Sequence, residues 1–396
     1  GEQIPDLEVP GTGERIPNLH NMPRSTCRLV GECDVGCTIG AKNTLDFNYL
    51  SLAAHHGADL RTRCEVRSFT RRPGGGWLVR YVEHRDEGEG RRRDTHDERE
   101  LPLREIACKR LVLSAGTLGT TFLLLQARAR SDVDGLPAAL GSRFSGNGDL
   151  LTFAANASRG GEPWIIEAPL GPSITSTVRV PDSADGGDGP GFYIQEGGYP
   201  AFASWMREVL EIPAQGRRLA EFVFGRVWRQ LRNRPDSNIS AEIAKLLSGG
   251  ESSATLLPML GMGRDTPDGQ MSLDRDGGLA LDWTVETSEQ YLRRVNETMK
   301  RLADALGADW VQSPLRHLDR LITVHPLGGC PMGDDQHGVV DAYGRVHGQP
   351  GLHVADGSVM PGPVGPNPSF TIAALADRFA TAILEDHERE AVGAAT

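Results

Sequence analysis

Two short apolar runs separated by a glycine-containing turn occupy the first half of the chain. Residues 106–113 form the first run, residues 114–119 read Ser-Ala-Gly-Thr-Leu-Gly, and residues 122–127 form the second run. The simplest interpretation is a strand, a turn and a helix, which is the repeating unit of α/β folds. Such a turn offers backbone N–H groups and a helix N-terminus to an anionic phosphate, although an ordinary tight turn is the alternative. The sequence therefore predicts an α/β (α+β) fold.

Length, charge and cysteine content exclude several classes of protein. A chain of 396 residues, 39% hydrophobic and 24% charged, is typical of a globular protein, and it predicts about two to three domains. The net charge of −11 argues against nucleic acid as a partner. The longest uncharged stretches contain glycines or prolines, so no transmembrane helix is predicted. Six cysteines in a chain of this length favour reduced thiols and a cytoplasmic location.

Local patterns predict several further elements. Asn43 is expected to cap a helix that ends at Gly57, and residues 85–100 are expected to form a charged, solvated loop. The other predicted elements are a hairpin of strands 60–69 and 77–82, amphipathic helices within 201–232, a hairpin over 272–281, a helix over 288–306 and a strand over 352–355.

The C-terminal quarter carries the residues best suited to chemistry. It contains the run His325-Pro-Leu-Gly-Gly-Cys330, then Asp356-Gly357 at the end of the predicted strand, then Asn367-Pro368. Apolar residues recur on one helical face after Asn367-Pro368, which predicts that these two residues precede the N-terminus of a buried helix. A helix N-terminus is electropositive and favours a group that becomes anionic on reduction. Together these residues indicate redox catalysis.

In this order and spacing, the three motifs resemble those of the glucose-methanol-choline (GMC) flavoprotein oxidoreductases, and within them the cholesterol oxidase-like bacterial members. The resemblance extends over about residues 27–386, with supporting matches at 27–44, 113–119 and Ser145-Gly-Asn-Gly148. It implies a discontinuous FAD-binding Rossmann-like domain, incomplete at the N-terminus, and a sheet-based substrate domain. The implied ranges are an N-terminal arm with the cysteine-rich segment (1–40), the FAD-binding domain (41–150 and 340–396) and the substrate-binding domain (151–339).

The resemblance implies FAD-dependent oxidation of an alcohol that is hydrophobic and sterol-like. His325 would take the proton of the substrate hydroxyl while hydride leaves the adjacent carbon for the flavin. A histidine titrates near neutrality and is therefore suited to accept this proton. Asn367 would orient substrate or flavin through its amide. A histidine paired with an asparagine resembles the sterol oxidases, whereas many relatives pair two histidines.

The resemblance also implies which residues contact the cofactor. Asp356 and Gly357 would contact the polar chain of the flavin, and the backbone of Val66 would face the adenine. The remaining cofactor-binding residues lie in the glycine turn and at the helix entry, and they are Ala115, Gly116, Pro368 and Ser369.

One feature of the family has no counterpart in this sequence. The family opens with a strand, a Gly-x-Gly-x-x-Gly turn and a helix, which together hold the dinucleotide pyrophosphate. We therefore expect a chain that lacks this N-terminal segment or receives it from a second chain. The alternative function is a catalytically silent, flavin-free binding protein of the same fold, and flavin absorbance of the native protein distinguishes the two.

Two further interpretations concern metal and membrane. Cys27, Cys33 and Cys37 suggest a metal-binding module, but neither a Cys-x2-Cys pair nor a fourth ligand accompanies them, so no metal is predicted. Aromatic and arginine residues within 201–232 predict transient contact with a membrane surface, with packing into the substrate domain as the alternative.

Overall fold

The structure is a computed structural model. It describes residues 7–8, 15–16, 27–29, 33, 36–37, 40–84, 101–164, 166, 172–183, 189–198, 256–313 and 321–395. The charged segment 85–100 and the amphipathic segment 201–232 lie outside the described residues. The solvated loop and the membrane-surface helices therefore stay predictions.

Short strands and a few helices make up the described elements, as expected for a mixed helix and strand protein. The strands are β1 (Leu7–Glu8), β2 (Arg15–Ile16), β3 (Cys64–Arg71), β4 (Trp77–Glu83), β5 (Arg104–Cys108), β6 (Leu111–Leu113), β7 (Leu150–Ala155), β8 (Ser158–Arg159), β9 (Glu162–Pro163), β10 (Thr177–Val180), β11 (Phe192–Glu196), β12 (Leu257–Gly263), β13 (Gln270–Leu273), β14 (Leu279–Asp282), β15 (Asp309–Gln312) and β16 (Leu352–Val354). The helices are α1 (Tyr49–His55), α2 (Gly116–Ala129), α3 (Glu289–Ala305) and α4 (Ser369–Ala395).

The first hydrophobic core forms around helix α2. An antiparallel sheet of order β3-β4-β5 and a parallel pair of β6 and β16 contribute to it. Phe69 and Trp77 of the β3–β4 hairpin are fully buried, and their rings meet edge to face. Helix α2 adds Leu124, and α4 adds Phe379. The hairpin predicted from the glycine turn is confirmed, with β3 beginning at Cys64.

The single strand predicted over 106–113 is wrong, because the structure divides it in two. β5 ends at Cys108 and pairs antiparallel with β4, whereas β6 begins at Leu111 and pairs in parallel with β16. The N–H of Leu111 donates to the carbonyl of Gly351, which begins the parallel pairing. The chain thus changes sheets at Lys109-Arg110, and apolar periodicity along one segment contains no information about such a change.

Helix α1 begins later than predicted. Asn43 does not cap it; the side chain of Asn48 accepts a hydrogen bond of 2.6 Å from the N–H of Tyr49. A single 3-10 turn, Leu45–Phe47, precedes this cap. Asparagine is a preferred N-cap residue, and the sequence offers both Asn43 and Asn48. The sequence therefore predicts the type of cap but not which asparagine supplies it.

The second core lies between a five-stranded antiparallel sheet and helix α3. The sheet has the order β10-β11-β12-β7-β15. Leu150, Phe192 and Met259 on one face of the sheet are buried against Val295 and Met299 of α3. This sheet accounts for the loss of strand and helix alternation after residue 150 that the sequence displays.

Three C-terminal elements agree with the sequence patterns, with one correction. The β13–β14 hairpin and helix α3 form where predicted, and α3 ends just before Gly307, whose φ of +59° suits glycine. Helix α4 follows Pro368, but it is not a buried helix: Phe379 is buried, whereas Phe370 in the first turn is 89% exposed.

None of the described helices combines the length and hydropathy that a membrane span requires.

Strand β6 has an open edge within the described residues. It pairs with β16 on one side, and no described strand pairs with its other side. Its central residue Val112 is 42% exposed. Parallel sheets are normally wider and covered on both faces. This edge is therefore able to accept a further strand.

Candidate active site

The glycines of the His325-Pro-Leu-Gly-Gly-Cys330 run permit close backbone packing. The backbone groups of Ser145 and Leu327 exchange hydrogen bonds of 3.0 and 2.9 Å. Gly328 and Gly329 have φ of +86° and +99°, and a Cβ on either would collide, with the carbonyl of Arg143 and with Thr121 of α2 respectively. This packing holds His325 against the segment that precedes β7.

His325 contacts a buried carboxylate through its ring. Its Nδ1 lies 2.9 Å from Oδ1 of Asp149, whose side chain is 0% exposed, whereas the His325 side chain is 15% exposed. Oδ2 of Asp149 accepts hydrogen bonds from the N–H groups of Val324 and His325 and from the hydroxyl of Thr323. Among the described residues none is hydrogen-bonded to Nε2 of His325, so this atom is free to meet a ligand.

The same short segment also anchors the loop that carries Asn367. Oδ1 of Asn147 accepts hydrogen bonds of 2.9 Å from the N–H groups of Val364 and Gly365, and its amide donates to the carbonyl of Pro366. Asn147 and Asp149 are two residues apart, so His325 and Asn367 are tied to one segment. Their arrangement around one bound hydroxyl stays a prediction.

Asn367 forms an amide pair with a residue of the second sheet. Its amide nitrogen donates to Oε1 of Gln195 at 3.2 Å, and its oxygen accepts from Nε2 of Gln195 at 2.9 Å. Each primary amide has two donors and two acceptor lone pairs. One donor and one lone pair of Asn367 therefore remain available.

Asp356 connects the end of β16 to the start of α2. Its Oδ2 accepts from the N–H of Gly116 and from the hydroxyl of Thr120, while Oδ1 accepts from the N–H of Ser358. A carboxylate at a helix N-terminus is stabilising. The predicted contact of Asp356 with a flavin is not tested; its carboxylate is already engaged by three protein donors.

Hydrogen bonds to backbone groups connect the start of α2 and Gly357 to the run His325-Pro-Leu-Gly-Gly-Cys330. The hydroxyl of Thr117 donates to the carbonyl of Pro326 at 2.7 Å, and the N–H of Gly328 donates to the carbonyl of Gly357 at 3.1 Å. Of the predicted site residues, Gly116, Asp356, Gly357 and His325 therefore meet at the carboxyl ends of β6 and β16.

We expect the exchange Asp356→Ala to lower the free energy of unfolding by about 2–4 kcal/mol, because three donors lose their acceptor and the two backbone N–H groups cannot move away. Urea unfolding followed by tryptophan fluorescence measures this loss. The matched control is Asp274→Ala, in an exposed turn where Oδ1 accepts from Asp276 and Gly278. Equal losses in both variants would show that Asp356 has no special structural role.

Backbone is accessible among the described residues where β6 and β16 end. Ala115 is exposed, and a Cβ on Gly116 would meet nothing within 4 Å. At the start of α4, Pro368 is buried while Ser369 is exposed. Ligands of α/β proteins bind outside the carboxyl ends of parallel strands, and helix N-termini favour anionic groups. These residues fit the polar chain and ring of a flavin.

Val66 lies apart from this group. It is half-buried in β3 at an irregularity in the pairing with β4. The carbonyl of its neighbour Arg67 accepts a hydrogen bond from Arg130, which follows the C-terminal end of α2. The contact of Val66 with adenine therefore stays a prediction.

On the side of Asn367, one face of the five-stranded sheet carries four apolar or aromatic side chains beside Gln195. Gln195 pairs directly with Leu260, and Leu260 pairs with Leu151, so these side chains lie on one face. Tyr193 and Phe153 share that face by alternation. All four apolar or aromatic residues are half-buried, whereas the opposite face packs against α3. This half-buried face is suited to an apolar ligand.

Burial shifts the pKa of several groups near His325. It raises the pKa of the Asp265 carboxyl, although Ser145 and Gly146 donate hydrogen bonds to it. Burial and the charges of Asp265 and Asp149 raise the pKa of Tyr291 well above its usual range. Burial also raises the pKa of the Cys330 thiol to about 12. Cys330 is therefore protonated at neutral pH and unsuited to nucleophilic chemistry.

The other five cysteines, all within the described residues, form no disulfide. Cys27 is exposed, and Cys33 and Cys37 are half-buried. Within the described ranges no three side chains of His, Cys, Asp or Glu converge as metal ligands would.

Sequence reasoning missed three residues of this site. Ser145-Gly-Asn-Gly148 matches a family pattern, but the pattern gives no role to Asn147 or to Asp149, the next residue. Gln195 belongs to a short strand with no distinguishing motif. The one available signal for a functional residue was the position of Asp149 directly after a glycine-rich turn.

Comparison with solved structures defines the class of fold. An FAD-dependent oxidoreductase from Chaetomium thermophilum superimposes with a TM-score of 0.52 at 14% identity, covering 87% of this chain and 64% of that chain. The protein therefore has the fold of an FAD-dependent oxidoreductase.

Sequence comparison identifies the family. Residues 265–376 match the family model described as GMC oxidoreductase. A cholesterol oxidase from Mycobacterium tuberculosis (strain CDC 1551 / Oshkosh) is 30% identical over 392 residues, which cover 96% of this chain and 61% of the relative. A cholesterol oxidase from Acinetobacter baumannii is 24% identical, with 98% and 65% covered. Residues 265–376 belong to the GMC oxidoreductase family, and the chain spans less than two thirds of the length of these relatives.

Proposed function

We propose that this chain carries the catalytic and substrate-binding part of an FAD-dependent alcohol oxidoreductase that acts on a hydrophobic alcohol. The observation that carries the proposal is the histidine with a free Nε2, held against a buried carboxylate in a run that is hydrogen-bonded to Thr117 and Gly357 at the ends of β6 and β16. The GMC family consists of flavoproteins, and relatives named as cholesterol oxidases match nearly the whole chain.

The residues at the ends of β6 and β16 would hold the cofactor. Ala115 and Gly116 would approach its polar chain through backbone, Gly357 would lie beside them, and Pro368 and Ser369 would present the N-terminus of α4 to the ring. When bound, FAD supplies the acceptor for a hydride.

The chain's own residues perform the proton chemistry. His325 accepts the proton of the substrate hydroxyl at Nε2, which makes the oxygen a better donor of electrons to its carbon. Asn367 uses its remaining N–H to donate a hydrogen bond to the oxygen of that hydroxyl, and Gln195 fixes the amide orientation. General acid–base groups of this kind contribute about 10²–10⁴-fold to the rate.

The half-buried face of Leu151, Phe153, Tyr193 and Leu260 favours an apolar substrate. Burying apolar surface contributes about 25 cal/mol per Å², so each additional ~55 Å² should raise kcat/KM about tenfold. The test is a series of primary alcohols of increasing chain length, together with a sterol and a polyol, assayed at saturating FAD. A flat series, or faster turnover of the polyol, would exclude the apolar substrate.

The printed sequence does not itself contain the family's pyrophosphate-binding turn, and β6 has an open edge among the described residues. We therefore propose that the dinucleotide-binding part is completed by a further segment or a second chain that pairs with β6.

A further inference from the structure

Asp149 is placed to control the protonation of His325. Its side chain is 0% exposed, and every described contact of its carboxylate is with a donor. The N–H groups of Val324 and His325 and the hydroxyl of Thr323 all converge on Oδ2. Only Oδ1 remains for the imidazole, at 2.9 Å from Nδ1.

This arrangement selects one tautomer of the histidine. An ionised carboxylate accepts hydrogen bonds and cannot donate them, so Nδ1 of His325 must carry a proton. In the neutral ring the other nitrogen, Nε2, is then unprotonated and has a lone pair. That is the nitrogen without a described partner, and it is the form that a proton acceptor needs.

We propose that Asp149 is a positioning residue that keeps His325 in the Nδ1–H tautomer and stabilises the imidazolium formed when Nε2 takes the substrate proton. The proposal rests on the proposed function. Among the described residues, Tyr291 interacts electrostatically with Asp149, and also with Asp265 and Arg294. Asp265 contacts Ser145 and Gly146 rather than the imidazole, so the direct electrostatic partner of His325 is Asp149.

The exchange Asp149→Asn tests the proposal because the site dictates how the amide will sit. Three donors surround the position of Oδ2, so the amide oxygen must occupy it and the NH₂ group must face Nδ1. Nδ1 then has to accept, and the ring proton moves to Nε2. We expect kcat per bound flavin to fall about 10²–10⁴-fold, with a much smaller change in KM.

The pH profile separates positioning from loss of structure. Without the carboxylate the imidazolium is less stable, so the acidic limb of kcat/KM should move to lower pH in Asp149→Asn. The matched control is Asp265→Asn, which removes a buried carboxylate that contacts the same segment, at Ser145 and Gly146, without touching the imidazole. It should leave the acidic limb in place. Identical profiles in both variants would overturn the proposal.

Nitrogen NMR of ¹⁵N-histidine-labelled protein gives a readout that needs neither flavin nor turnover. With His325→Gln used to assign the resonance, we expect Nδ1 of His325 to be protonated in the unsubstituted chain and Nε2 in Asp149→Asn. A protonated Nε2 in the neutral ring of the unsubstituted chain would refute the proposal. If turnover survives His325→Ala, the proposed function fails; if it survives only Asp149→Asn, the positioning role alone fails.

Discussion

Replacing His325 by alanine should reduce turnover per bound flavin about 10²–10⁴-fold, because the substrate hydroxyl loses its proton acceptor. Flavin occupancy, measured by absorbance, should change little, since the run that carries His325 is held by backbone contacts of Ser145 and Leu327 and not by the imidazole. The assay uses the FAD-loaded protein and an apolar alcohol.

The control for this exchange is His337→Ala. His337 has a side chain that is 77% exposed and pairs with Asp334 on the surface. It should retain turnover. A parallel loss of turnover and flavin in His325→Ala would indicate a structural role for His325 and contradict its assignment as the base.

This chain should bind FAD weakly, with a dissociation constant above the micromolar range. In the proposed site, Gly116, Gly357 and Ser369 would contact the ring and the polar chain, whereas the two phosphates would meet no glycine turn of the kind the family uses. Several charge-assisted hydrogen bonds of about 1.5–3 kcal/mol each are then missing, which weakens binding by orders of magnitude.

Calorimetric titration with FAD and, as a matched ligand, riboflavin measures this deficit. If the phosphates contribute little, the two ligands should bind the chain with similar affinity. Riboflavin lacks both the phosphates and the adenosine of FAD. Submicromolar binding of FAD with much weaker binding of riboflavin would therefore show that the chain itself holds that part of the cofactor, and the proposal of a completing segment would be wrong.

The sequence predicted the parts of the site whose signals are local. Gly328 and Gly329 occupy positive φ values and packed positions where only glycine fits, so the run beside His325 carries its own signature. The helix entry at Asn367 was recognisable because proline and an apolar face mark it. The β3–β4 hairpin also had a local signal, because its glycines form a turn.

The contacts that orient the site could not be predicted in this way. Asp149 meets His325 across 176 positions of sequence, and Gln195 meets Asn367 across 172. The glycine-rich turn before Asp149 does not indicate which residue the carboxylate will contact, and Gln195 does not differ locally from an ordinary amide. Only the tertiary fold brings these partners together. The same limitation explains the error over β5 and β6, where two runs that look continuous belong to different sheets.

Anaerobic mixing of the FAD-loaded protein with a hydrophobic alcohol tests the central claim most directly. We expect the flavin absorbance near 450 nm to bleach, more slowly when the carbinol carbon carries deuterium, and far more slowly in His325→Ala. No bleaching with any apolar alcohol, or bleaching at the same rate in His325→Ala, would contradict the claim that this chain oxidises alcohols with His325 as the base.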